Sequence, residues 1–163
     1  MTDSRFITVK VAVGVFQAAL PVALIFAIGF FTNAKALWWV WPSSAALVLF
    51  GAMIFSLYGL TVGSLFRSES AVGVSSGLVV IFGFLGNVFV PLSGWMLVLA
   101  KFTPLYGIAA LARRPLSEGY SVEMNSGDLV AEPLWQVLAN VGVWLTIFAV
   151  ASVLLVRKGR ERQ

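Results

Sequence analysis

The side chains of this sequence that are able to do chemistry are few, and most are set singly into long apolar runs. Asn87 lies deep in one such run, four residues before Pro91, with Ser75 and Ser76 ahead of it; Ser56, Thr61, Asn140 and Thr146 stand in others. In lipid, amides and hydroxyls so placed bond either a neighbouring helix or a solute in a polar pathway. Asn87, Ser75 and Thr61 are the pathway candidates, interhelical bonding weighing equally for Asn87. A second kind of feature is the stretch "SLFRSESAVG", residues 64–73, whose Arg67 and Glu69 interrupt two apolar runs. Two charges in so short a loop are by default a solvated turn, and alternatively a dock for a partner. Covalent and acid–base chemistry has little to work with. The chain has no His and no Cys, which removes imidazole bases, thiol nucleophiles and the usual zinc or haem ligands. Glu118, Glu123, Asp128 and Glu132 cluster in one stretch without ligand-like spacing, and no G-x-x-x-x-G-K-[ST] is present to cradle nucleotide phosphates. The reading is therefore of a protein that is not an enzyme and holds no cofactor or metal of its own. No carboxylate falls within an apolar run, which argues against a proton-relay antiporter.

The surroundings of these residues identify their solvent. Of 163 residues 60% are hydrophobic and only 11% charged, with a mean hydropathy of +0.94, against about 25% charged in an average soluble domain. So short a chain cannot cover a water-facing surface with so few polar groups, and lipid is the solvent for most of it. The net charge of +4 is modest and does not point to nucleic acid. The first apolar run is too long for a signal peptide and is not followed by a small-residue cleavage site and soluble domain.

A helical span needs roughly 20 apolar residues. Four stretches qualify: residues 11–31, 42–66, 71–90 and 134–156. Trp38, Trp39 and Trp41 ahead of the second form an interfacial aromatic belt, and Pro42 suits a first helical turn. Between the third and fourth lies "GWMLVLAKFTPLYGIAALARRP", which a full span would burden with Lys101 and a Pro104 break near mid-membrane. A re-entrant helical hairpin fits better, since broken backbone is tolerated at membrane depth where protein covers it. Charge supports this. With the N-terminus cytoplasmic, the hairpin puts Arg5, Lys10, Arg67, Arg157, Lys158, Arg160 and Arg162 inside and Lys35, Lys101, Arg113 and Arg114 outside. A fifth span would leave five positives inside against six outside, contrary to the positive-inside rule. The expectation is one all-α, polytopic transmembrane bundle of four spans over residues 1–163, with an extracellular re-entrant hairpin, an outer loop from Arg114 to Pro133, and both termini cytoplasmic.

Three further features have ordinary readings. Gly59-x-x-x-Gly63 and Gly73-x-x-x-Gly77 flank the same turn, so close packing of the second span on the third is preferred to a subunit interface. Pro21, four residues after Gln17, predicts a kink in the first span. The tail "RKGRER" is a topology anchor at the headgroups.

From Gly59 to Leu116 the chain resembles the C-terminal part of a type 2 ATP-binding-cassette (ABC) exporter permease, in particular the bacterial drug-efflux permeases. The resemblance is carried by "GSLFRSESAVG", "LGNVFVPLSGW" and "AKFTPLYGIAALARRPL": a short turn, a helix ending in Phe-x-Pro, a Thr-Pro-Leu-Tyr-Gly hairpin and an Ala-Leu-Ala-Arg exit. "SRFITVKVAVGVFQAALPVALIF" is more loosely similar to that family's third span and the loop before it.

The resemblance implies a permease with a second permease copy and a separate ABC-type ATPase subunit, which would bind ATP and magnesium. The four spans match the family's spans three to six, and the first two spans would be missing from residues 1–163. It further implies that Arg5, Lys10, Arg67 and Glu69 couple to the ATPase, and that Pro91, Gly94, Lys101, Pro104 and Gly107 shape an outer gate in the re-entrant segment. The expected function is export of a small or amphipathic substrate, a drug, lipid or glycan, across the bacterial plasma membrane. A non-transporting membrane anchor or assembly component is the alternative. A channel ranks last, since the spans lack rings of charge or a filter-like loop.

Overall fold

The computed structural model describes residues 3–32, 36–66, 68–124 and 126–160. It is helical throughout apart from one small ribbon: α1 (Asp3–Phe31), α2 (Val40–Leu65), α3 (Ser68–Leu85), α4 (Gly94–Ala100), α5 (Pro104–Ser117), strands β1 (Tyr120–Val122) and β2 (Leu129–Ala131), and α6 (Leu134–Arg160). Three helices, α1, α2 and α6, are long and apolar enough to cross a membrane, and the α4–α5 pair adds a fourth such stretch only if its two halves count as one. The chain is thus a membrane protein, as its composition implies.

Helix α2 is the centre. Gly51, Ile54, Tyr58, Thr61 and Val62 recur at helical spacing and are buried, so one stripe meets its neighbours. Around Ile54 and Tyr58 gather Leu57, Val62, Ile108 of α5, and Val141 and Phe148 of α6. The Tyr58 ring meets Phe148 edge-on at 5.5 Å and Phe82 of α3 at 6.0 Å. Outside this core the rule for soluble proteins is inverted. Phe16 and Phe31 on α1 are 80% and 82% exposed, as suits side chains solvated by lipid tails.

Helix directions follow from pairs of contacts. Gly14 faces Ser56 and Gly29 faces Trp41, so α1 and α2 are antiparallel. Thr61 meets Ser152, while Ser64 and Leu65 share a small pocket with Leu155 and Lys158, so α2 and α6 run parallel. The start of α1, the end of α2 and the end of α6 therefore lie at one end of the bundle. Arg5, Lys10 and Lys158 are exposed there, where α2 ends and α3 begins.

Element boundaries differ from expectation in instructive ways. Helix α1 begins at Asp3, so Arg5 and Lys10 are helical, and it is assigned as one helix through Pro21. Ser68, Glu69 and Ser70, read as a turn, form the first turn of α3. Arg67, Lys35 and Arg162 lie outside the described residues.

The third span was expected to reach Val90, yet α3 stops at Leu85. Asn87 adopts φ 59°. The Val88 N–H reaches the Gly83 carbonyl at 3.2 Å and the Asn87 N–H the Phe84 carbonyl at 3.4 Å, the paired bonds of a helix end with a left-handed residue just beyond it. Its apolar described part, Ser70–Leu85, is consequently shorter than the three helices long enough to cross a membrane. The acidic stretch is not a plain loop: Tyr120, Ser121 and Val122 pair antiparallel with Ala131, Val130 and Leu129. The glycine pairs also depart from the preferred reading. Gly59, Gly63, Gly73 and Gly77 are exposed, and a Cβ on any of them would meet nothing within 4 Å among the described residues. They do not pack α2 on α3.

Candidate functional site: the bent helical pair and its clamp

The residues with the most specific geometry surround the break between α4 and α5, where the chain bends by 93°. Pro104 at the start of α5 has no N–H to lose, and its ring sets the backbone for a first turn. The break leaves carbonyls at Lys101, Phe102 and Thr103 that no helix satisfies, and such groups at membrane depth need a protein partner.

Helix α6 supplies it. The Asn140 amide donates to the Lys101 carbonyl at 2.7 Å and the Thr103 carbonyl at 3.1 Å. Its Oδ1 accepts the Gly107 N–H at 3.2 Å. One turn on, the Trp144 indole N–H donates to the Phe102 carbonyl at 3.1 Å. Gly107 is needed for this approach, because a Cβ there would collide with the Asn140 carboxamide. Asn140 is six residues into α6 and Trp144 ten, so the elbow sits about 9–15 Å along that helix at 1.5 Å per residue.

Both ends of the bent pair are tied at the far end of the bundle. Before α4, Asn87 Oδ1 accepts the Leu92 N–H at 2.7 Å, and Arg113 Nη1 donates to the Asn87 carbonyl at 2.9 Å. Near the exit from α5, Arg114 Nη1 donates to the Glu132 carbonyl at 3.0 Å. Glu132 itself is buried, and the Tyr106 hydroxyl donates to its carboxylate at 3.0 Å. Because both partners are buried, Tyr106→Phe is expected to cost about 1–3 kcal/mol, read from reversible unfolding in detergent. Glu132→Gln, whose side-chain oxygen accepts the same bond, is expected to cost less.

The gate candidates are thus partly united. Gly107 and Lys101 meet through Asn140, and Pro104 is fully buried beside them. Gly94 opens α4 with φ 54°, a conformation open to glycine, and Pro91 is exposed. The pathway candidates are dispersed. Thr61 is buried between α2 and α6, bonded to the Leu57 carbonyl at 2.9 Å and 3.1 Å from the Ser152 hydroxyl. Ser75 offers its carbonyl to the Tyr58 hydroxyl at 3.1 Å, and Asn87 holds the turn before α4. None of the three lines the larger cleft described next.

That cleft, about 620 Å³, opens between the elbow and α6. Its wall is mainly apolar and aromatic, from Val98, Phe102, Trp135 and Trp144, with Lys101 as its one cation. Asn140, Trp144, Tyr106 and Glu132 were not singled out as a set from the sequence. The signal for Asn140 was present, as a lone amide in a span. Among the described residues no group of three or more acidic side chains is placed to hold a metal ion. Comparison with protein-family models, with curated proteins and with solved structures finds no match for this chain.

Proposed function

We propose that the chain is a membrane-spanning permease component of an ATP-driven ABC exporter, moving a small or amphipathic substrate out across a bacterial plasma membrane, with ATP hydrolysis in a separate subunit and both termini cytoplasmic. The observation that carries this reading is the bent α4–α5 pair held by Asn140 and Trp144. Its elbow reaches about half of a ~30 Å hydrocarbon core, and Arg114 returns its exit to Glu132, just before α6 begins. That arrangement favours re-entry over a crossing. A re-entrant segment backed by one span suits a gate, because irregular backbone covered by protein on one side can line a water-filled cavity on the other. Arg5 and Lys10, exposed at the end of the bundle where α2 ends and α3 begins, then offer positive charge to an ATPase partner.

One observation favours the alternative of a non-transporting anchor: the buried side chains of Thr61, Ser152 and Asn87 are occupied in holding the fold, which leaves no polar lining within a single copy formed by them. Isolation of the tagged chain from its host membranes in mild detergent separates the two. A P-loop ATPase is expected to co-purify, and Arg67→Glu to reduce its recovery severalfold. Recovery of the chain with no ATPase supports the anchor.

A further inference from the structure

We infer that the cleft between the α4–α5 elbow and α6 binds one acidic phospholipid taken from the surrounding leaflet. The volume of about 620 Å³ falls within the roughly 300–1,000 Å³ of ordinary small-molecule sites. Its chemistry is divided as an amphiphile's is. Val98, Val143 and the faces of Trp135 and Trp144 make an apolar wall along α4 and α6, suited to an acyl chain. Lys101 lies at the elbow, with Gln136 and Asn140 as the other polar residues on the wall.

Depth and charge select the occupant. The Lys101 backbone is fixed to Asn140, about 9 Å along α6 from its first residue, and Trp135 at that helix start is 69% exposed, where an interfacial tryptophan belongs. Lys101 is half-buried, and no acidic side chain pairs with it among the described residues. An ammonium at this depth is costly unless it reaches the interface or meets an anion. The nearby acids do not serve: Glu132 is engaged by Tyr106, and Glu123 lies toward Gly94 at the other end of α4. A lipid in the adjoining leaflet holds its phosphodiester at the interface, toward which the Lys101 side chain can extend, while its chain fills the apolar wall. A zwitterionic lipid brings its own cation and gains less.

The test uses the full chain in nanodiscs of mixed phosphatidylglycerol and phosphatidylcholine, transferred to detergent and read by native mass spectrometry. One retained phosphatidylglycerol per chain is expected, preferred over phosphatidylcholine on the order of tenfold, the scale of one ion pair near a protein surface. Lys101→Gln should abolish that preference and Lys101→Arg should keep it, so that loss through misfolding is told apart from loss of charge. Lys158→Gln, at the opposite end of the bundle, should leave it intact. Equal retention of both lipids by the wild type, or a preference that survives Lys101→Gln, overturns the inference. Displacement of the retained lipid by dodecyl phosphate at low concentration, with no phosphatidylglycerol recaptured from nanodiscs, reassigns the cleft to a free amphipathic anion and likewise overturns it.

Discussion

Asn140→Leu is expected to release the α4–α5 elbow from α6 and to destabilise the fold by about 2–4 kcal/mol. The substitution keeps the number and branching of the side-chain atoms. What it removes is two donors to the Lys101 and Thr103 carbonyls and one acceptor for the Gly107 N–H. Those three backbone groups sit at a break with no helical partner for the carbonyls, and each orphaned group of this kind costs about 1–3 kcal/mol. Within membranes the mean value of a hydrogen bond is lower, nearer 0.6 kcal/mol, since alternative partners are found. The sum is therefore placed below three full penalties. Hydrogen exchange reads the effect locally: amides from Lys101 to Gly107 should lose protection at least tenfold, while those from Ile54 to Val62 in the α2 core stay protected. Unchanged exchange around the elbow would show that Trp144 and Pro104 hold it unaided.

The same amide illustrates what could and could not be read from the sequence. A lone Asn in an apolar run announces a partner, because no water is there to serve it. Which partner depends on how the chain folds back over 33 to 39 residues, and no local pattern carries that. The break itself was legible, since Pro104 and Lys101 conflict with a straight crossing. The clamp was not.

Asn87 shows the opposite case. Its place in an apolar run before Pro91 suggested a helical residue deep in the third span, with a pathway role and an interhelical bond equally open, whereas it lies just beyond the end of α3, left-handed, with its side-chain oxygen accepting the Leu92 N–H. Asn is among the few residues that adopt that backbone cheaply, so residue type was informative but hydropathy overrode it. Val88, Phe89 and Val90 are apolar without being helical, and apolarity alone does not separate helix from turn in a membrane. Glu132 was misjudged for a related reason. It precedes α6 in an acidic stretch that reads only as part of an outer loop, yet the ribbon folds it inward against Tyr106. Compositional arguments see the charge of a loop and not its direction.

The glycines divide into two groups that spacing alone does not distinguish. Gly59, Gly63, Gly73 and Gly77 match a packing pattern and pack against nothing described. Gly51, which belongs to neither pair, is a place where two helices do meet closely. It is buried in the α2 stripe, and a Cβ on it would run into Ile108 Cγ2. Ile108 is itself 7% exposed and belongs to the central cluster. Being β-branched, it has few rotamers in a helix with which to give way. Gly51→Leu is accordingly expected to push α5 off α2 and to cost about 2–3 kcal/mol or more, seen as a lowered unfolding midpoint. Because α5 is also held by Asn140, the disturbance should spread to the elbow and raise hydrogen exchange at Gly107. Space can be returned from the other side. Gly51→Ala alone should destabilise measurably, and Gly51→Ala with Ile108→Ala should be more stable than the sum of the two single changes predicts, by about 1 kcal/mol, the coupling of residues in direct contact. Strict additivity in that cycle would mean that α2 and α5 do not touch at this level, and the depth assigned to the bent pair would have to be redrawn.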